Sequence, residues 1–402
     1  MESTPLSRRV ISLAESQTIG MSKLSRELIS QGIDIVNLSL GEPDFITPTH
    51  IREAAKKAID DGYTFYPPIA GFVELRKAIS EKFKRENNLD FLPQQIIVST
   101  GAKQSIANVV LSLIDPGDEV IIPMPYWVSY IEIVKLAEGK TIAVKTTIDS
   151  DFKITPDQLE ASITTATKLF IFSSPCNPTG TVYTKDELRG LAEVFKRHPR
   201  IYILSDEIYE HINFMGGHES IAQFDFLRDQ LIVVNGVSKS FAMTGWRIGY
   251  IGAPKIIAEA CEKMQGQFTS GASSIAQKAA EAALNLDFQP TLEMQAAFRR
   301  RRDLVLNLMK TIPHWKVNKP EGAFYVFPDV SAYFGKSFDG KKINNSTDLC
   351  MFLLYHGNVS LVPGEAFGDG NCLRFSYAAS DDKLVEAIKR IKEALLLLKI
   401  EN

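Results

Sequence analysis

From about Ile96 to Ala253, short β-branched runs alternate with segments of helical period. The runs IIVST, EVIIP, TIAVK, KLFIFSS, YILSD, LIVVNG and RIGYIGA read as seven strands, and the amphipathic stretches between them as the crossovers of a mostly parallel sheet. One such stretch, Thr184 to His198, opens on a threonine with Glu187 three residues on, the signature of a capping box. The middle of the chain is therefore predicted to be doubly wound α/β.

The outer regions follow other periods. After Pro290 the pattern predicts a long helix from Leu292 to about Thr311, and then a strand over Gly322-Ala323-Phe324-Tyr325-Val326-Phe327. A final helix over Ser380 to Ile400 is marked by Leu384, Ile388, Ile391, Leu395 and Leu398 at i, i+3, i+4 spacing. This is a smaller α+β module, and the first forty or so residues are too few to bury a core of their own and should pack on it. The expected division is 1–41 for the N-terminal segment, 42–291 for a large domain and 292–402 for a small one. The charge run Arg299 to Arg302 lies mid-helix, where consecutive side chains diverge by roughly 100° each, so a solvated helix face is expected there and not an anion patch.

Composition narrows the partners. A chain of 402 residues exceeds what one core usually supports, so two domains or one enlarged α/β domain are expected. With 45 basic and 48 acidic residues the net charge is −3, which leaves no footprint for nucleic acid or an anionic membrane and makes small molecules the default partners. Met1 to Val10 is polar and no stretch reaches the roughly 18 apolar residues of a membrane span, so a cytoplasmic location is expected. Cys176, Cys261, Cys350 and Cys372 lack CxxC spacing and read as reduced thiols. No metal is expected, because the six histidines are scattered and His211 and His218 lack ligand-type neighbours at helical or finger spacing.

Neither GxGxxG nor GxxxxGK[ST] occurs, so the polar residues at the strand ends need another explanation. In a parallel α/β sheet ligands bind outside the carboxyl ends of the strands. Asp206 directly follows YILS; it is either a carboxylate awaiting a cation or a cap for the next helix. Lys239 follows LIVV, and a lysine desolvated at such a place has a lowered pKa and forms Schiff bases, although most lysines are simply solvated. Ser238 beside it and Arg247 eight residues on suit a phosphate clamp. Ser99-Thr100-Gly101-Ala102-Lys103-Gln104 leaves a strand through glycine into a helix, a turn that aims backbone N–H groups outward. Ser174-Pro175-Cys176-Asn177-Pro178-Thr179-Gly180 presents the Asn177 amide on a rigid backbone.

Together Asn177-Pro178-Thr179-Gly180, Ser205-Asp206-Glu207-Ile208-Tyr209, Ser238-Lys239, Gly245-Trp246-Arg247 and Leu373-Arg374-Phe375-Ser376-Tyr377, in this order, resemble the class I pyridoxal-phosphate (PLP) aminotransferases of fold type I. The likeness runs from Leu6 to the last helix. It implies that Lys239 holds PLP covalently and then moves a proton at the substrate Cα, that Asp206 pairs with the pyridine N–H, and that Asn177 and Tyr209 hydrogen-bond the ring hydroxyl. Trp127 and Ile208 would sandwich the ring, and the phosphate would meet the amides of Gly101, Ala102 and Lys103 with Ser238, Arg247 and Tyr66. The tyrosine matching Tyr66 reaches across from the other subunit in such enzymes, so a homodimer is implied. Arg374 would bind the substrate α-carboxylate, helped by the Gly41 amide, with Trp127 and Asn177 beside it and Phe324 covering the site.

The chain is most similar to the prokaryotic branch of the aspartate-specific members, through LSRRV, LSLGEPDF, PYWVSY and FAMTGWRIGY. That branch implies Lys103, with Ser16 and Thr18, as the group that meets the distal carboxylate of aspartate or glutamate, and 2-oxoglutarate as acceptor. Some members also use prephenate and carry a basic residue near the N-terminus, where this chain has Ala14 and Glu15. Gln265-Gly266-Gln267-Phe268-Thr269-Ser270 is bulkier than expected where a neighbouring subunit would approach. A PLP-dependent C–S β-lyase, or an aminotransferase of another donor specificity, could retain Lys239, Asp206 and Arg374. A PLP-sensing regulator would need a DNA-binding module ahead of Leu6, where no basic winged helix fits.

Overall fold

The computed structural model describes residues 5–285 and 288–400. Seven strands form one sheet: β1 (Ile96–Ser99), β2 (Glu119–Met124), β3 (Lys140–Lys145), β4 (Thr167–Ser173), β5 (Tyr202–Asp206), β6 (Leu231–Gly236) and β7 (Gly249–Gly252). Their order is β1-β7-β6-β5-β4-β2-β3. Only β7 is reversed, pairing antiparallel with both β1 and β6. All seven runs named from the sequence are present, and the mostly parallel α/β sheet is as expected.

Each strand sends alternate side chains to opposite faces, and both faces are covered. Val98, Phe170, Phe172, Ile203 and Val233 join a core with Phe83 and Phe195, while Ile97, Leu169, Ile171, Leu204, Ile232 and Val234 join another with Ile106 and Val109. The edge strand β3 is the exception; it is half exposed and has Lys140 and Lys145 at its ends, which blunts edge pairing. The expected capping box is present: the Thr184 hydroxyl accepts from Glu187 N, and the Glu187 carboxylate accepts from Thr184 N at 2.7 Å.

A third core joins the chain ends. Met21, Leu28 and Leu38 pack with Phe298 and Val305 of helix Gln289–Met309 and with Leu384, Ile388, Ile391 and Leu395 of helix Asp381–Leu395. Between them lies a three-stranded antiparallel sheet in which Leu373–Ser376 is flanked by Val362–Pro363 and Tyr325–Val326. The expected strand over Gly322 to Phe327 is thus only two residues long, because Gly322 N donates to Gly180 O instead. The last helix stops at Leu395, short of Ile400, since Lys399 exchanges two backbone hydrogen bonds with Ser337.

The arginine run departs from expectation. Its side chains do diverge, but Arg301 and Arg302 are buried at 7% and 3% exposure and do not form a solvated face. Arg301 makes a bidentate pair with Asp44 at 2.7 and 3.0 Å, and Arg302 reaches Glu321 and the Pro320 carbonyl. These partners come from other parts of the chain, which is why helical period alone did not reveal them. Among the described residues no helix is long and apolar enough to cross a membrane, and all four cysteines are free.

Candidate active site

The carboxyl ends of β1, β2, β4, β5 and β6 meet along one edge of the sheet. β7 runs the other way, so the residues before it reach that same edge. A cavity of about 260 Å³ opens there. It is lined by Ala102 and Lys103 after β1, Trp127 after β2, Asn177 after β4, Asp206, Ile208 and Tyr209 at the end of β5, Ser238 and Lys239 after β6, and Arg247 before β7. Arg374, from the small three-stranded sheet, and Gly41, Ser16 and Thr18, from the N-terminal segment, close it. Fourteen of the expected site residues therefore meet in one place.

Asp206 and Lys239 share this cavity without pairing. The Asp206 carboxylate accepts from the Tyr130 hydroxyl at 2.7 Å and from Ile208 N at 3.2 Å. It faces no cation at bonding distance among the described residues, and burial raises its pKa to about 6 against the pull of those two donors. The Lys239 amine donates only to the Gly41 carbonyl, at 2.5 Å. Burial lowers its pKa to about 8; Glu42 opposes the shift, while Arg374 and Arg247 add to it. An amine that gives up its proton more readily than a solvated lysine and a carboxylate without a bonded cation line the same cavity.

Anion-binding groups stand at two other points. Helix Ala102–Leu113 begins at Gly101, whose φ of +83° and lack of a side chain admit the Arg247 guanidinium; a Cβ there would collide with it. Gly101 thus seats the clamp from behind instead of lining the cavity. Arg374 is 2% exposed; Nη1 donates to Asn177 Oδ1 at 3.0 Å and Nη2 to Ser39 O at 2.6 Å, while Nε is buried without a partner. Because the Asn177 oxygen is taken by Arg374, its amide nitrogen remains free to donate. Lys103 Nζ lies 5.1 Å from the Trp127 ring centre, its pKa lowered by burial and then by Arg247.

Two further expected residues do not line the cavity of the single chain. Phe324 is fully buried behind Tyr209, its ring 5.1 Å from Phe298, and the cavity is lined instead by Tyr325, whose hydroxyl is 2.8 Å from that of Tyr209. Neighbouring side chains in an extended segment point opposite ways, and the sequence does not say which parity faces the cleft. Tyr66 is 96% exposed on the surface of the chain. Nothing in PYWVSY marks Tyr130 as the aromatic that meets Asp206. His211 and His218, without ligand-type neighbours by sequence spacing, acquire them through the fold: His211 sits 2.8 Å from Glu86 and His218 2.8 Å from Glu207.

The sequence model of the family "Aminotransferase class I and II" matches residues 33–391. A bifunctional aspartate aminotransferase and glutamate/aspartate-prephenate aminotransferase from Petunia hybrida is 49% identical, over 98% of this chain and 83% of its own length. An aspartate/prephenate aminotransferase from Nitrosomonas europaea is 46% identical over 97% of this chain and 99% of its own. The crystal structure of the Rhizobium meliloti aspartate aminotransferase superposes with a TM-score of 0.95 at 42% identity, covering 99% of this chain and 100% of that one. The Thermus thermophilus aspartate aminotransferase with maleate gives 0.91 at 40%, covering 98% and 100%. With one edge of the sheet gathering the amine, the carboxylate and the two arginines, and with relatives alike over nearly the full length, the chain belongs to the class I and II aminotransferases and is an aminotransferase of fold type I.

Proposed function

We propose that this aminotransferase holds PLP in the cavity and moves the amino group of L-aspartate to 2-oxoglutarate. The observation that carries the reading is the unpaired Asp206 and Lys239 in one cavity. PLP fits the residues present: its pyridinium would satisfy the carboxylate, its aldehyde the amine, and its phosphate the Arg247 guanidinium with Ser238 and the open helix start at Ala102. When bound, PLP supplies a carbonyl carbon for the amino group and a protonated ring that withdraws the electrons of the broken Cα–H bond.

The chain's own residues do the rest. Asp206 keeps the ring nitrogen protonated, and Tyr130 and Ile208 N hold that carboxylate in place. Asn177 Nδ2 and the Tyr209 hydroxyl would hold the ring oxygen by hydrogen bonds. Arg374, anchored by Asn177 and Ser39, takes the α-carboxylate. The freed Lys239 amine accepts the Cα proton and returns it one carbon away, a task suited to a pKa of about 8. Its burial gives a measurable consequence. PLP capture by the apoprotein should slow as pH falls below about 8, where the amine becomes protonated, and rapid-mixing absorbance would detect it; a midpoint near the ordinary 10.5 would refute the assignment.

Aspartate is the proposed donor because Lys103 places a cation beside Trp127, with Ser16 and Thr18 on the same cavity. A distal carboxylate there would gain Coulomb attraction in a partly dry site. Lys103→Ser should lower the aspartate-to-alanine ratio of kcat/KM by about 10- to 100-fold, and an unchanged ratio across a panel of amino donors would sink the assignment. The Petunia and Nitrosomonas names include prephenate, which favours a second reading with that acceptor. Against it, Ala14 and Glu15 bring no cation, and Ala14 N donates to Glu132 at 2.9 Å.

The working form is proposed to be a homodimer in the cytoplasm, where its four free thiols stay reduced. Phe65 and Tyr66 at 84% and 96% exposure, with Ile46 at 80%, are apolar surface that a second copy would cover. The packing of Met21, Leu28 and Leu38 with the 294–398 residues supports an N-terminal segment riding on the small domain, although the same core takes in Ile208, Tyr209, Ile212 and Phe214 of the large one.

A further inference from the structure

Behind the turn that carries Asp206 and Tyr209 lies a set of buried charges that the reaction does not use. Lys82, on helix Val73–Asn87, is fully buried and its ammonium pairs with Glu210. Glu210 also accepts from Asn87 Nδ2 at 2.9 Å and from Asn235 Nδ2 at 2.7 Å. Lys82 in turn donates to Asn87 Oδ1 at 2.8 Å. Burial alone would raise the Glu210 carboxyl, but Lys82, His211 and His218 outweigh it and hold the group far below the usual range. Glu86 lies 3.7 Å from the same ammonium, so Lys82 already supplies a cation to both carboxylates and the cluster is an ion-pair network. Buried charges cost folding energy unless every one is satisfied, and a well-packed apolar replacement is often no less stable.

The geometry gives the network a use. Glu210 directly follows Tyr209, and Asn235 lies at the end of β6, four residues before Lys239. Asn235 Oδ1 accepts from Gly236 N at 2.7 Å, so the same side chain that binds Glu210 also holds the start of the lysine turn. Ladder bonding between the two strands reaches Glu207 N to Val234 O at 2.9 Å, and the Glu210–Asn235 bond continues the tie beyond it. We propose that Glu210, acting through Asn235 and braced by Lys82, is a positioning residue that fixes the separation of Asp206 from Lys239. The inference rests on the reading of the cavity as a PLP site.

Asn235→Ala tests it, because the pairs among Lys82, Glu210 and Asn87 survive and no charge is left alone. KM for aspartate should stay within about threefold while kcat falls by about 30-fold or more, since misplacement by an ångström costs up to about 10²-fold. The dissociation constant of the apoprotein for PLP, measured by fluorescence quenching, should rise about tenfold for the same reason. The conservative pair Lys82→Met with Glu210→Gln, made in the parent chain, removes both charges but keeps an oxygen for Asn235, and its kcat should stay within about threefold of the parent. The proposal fails if folded Asn235→Ala keeps the parent's kcat and PLP affinity, or if both losses only track the folded fraction by circular dichroism. If Asn235→Ala does not fold, a loss of kcat of about tenfold or more in the folded double variant overturns it, because geometry would then not be the agent. A parent chain that binds no PLP at Lys239 overturns instead the reading of the cavity.

Discussion

Lys239→Ala is expected to fold, to bind PLP without a covalent bond, and to lose turnover by at least about 10⁴-fold, the upper range for a positioned general base. The fold should survive because the Lys239 amine holds only the Gly41 carbonyl, one hydrogen bond whose net worth is about 1 kcal/mol. Catalysis should not survive. Among the described residues Lys239 and Lys103 are the lysines that line the cavity, and Lys103 stands over Trp127. Borohydride treatment followed by peptide mapping should label the parent at position 239 and the variant nowhere. Turnover in the variant comparable to the parent would end the assignment.

Asp206→Asn carries the second large effect, and its two consequences have opposite signs. The amide keeps the shape but not the charge that holds the ring proton, so kcat should fall by about 10³-fold or more, the scale of losing a preorganised electrostatic partner. The apoprotein, however, should become more stable. Burial raises the folded pKa of Asp206 from 3.8 to about 6, so the folded state binds that proton more tightly than the unfolded chain. Its contribution is therefore fully present below about pH 3.8 and is lost as pH rises through about 6. Asparagine escapes that loss. The melting temperature of the apo variant should exceed that of the parent at neutral pH, with the gap closing toward pH 4. A gap that widens on acidification would show that burial does not penalise this charge. A gap that closes as expected makes the carboxylate a case of stability given up for function.

Much of this was legible beforehand, for identifiable reasons. Each strand of the large sheet is a short apolar run closed by glycine, proline or a polar residue, and Ala102, Trp127, Asn177, Asp206 and Lys239 sit at or just past such closures, where chain order locates them. What the sequence concealed depends on pairs far apart in the chain. Lys82 and Glu210 are 128 residues apart, and either alone reads as a solvated charge. Arg301 reads the same way until Asp44 is brought to it. Tyr325 and Phe324 differ only in parity, which is decided by the neighbouring strand. The shortened strand near Gly322 and the early stop of the last helix likewise reflect backbone partners that periodicity does not specify.

The reversed strand β7 has a consequence for tolerance to change. Because β6 and β7 are antiparallel neighbours, the single loop 237–248 between them delivers both the nucleophilic lysine and the guanidinium clamp. Lengthening that loop would dislodge two essential groups at once. The opposite rim of the sheet, where the parallel strands begin, bears no such double duty, and grafted segments or fused domains belong there.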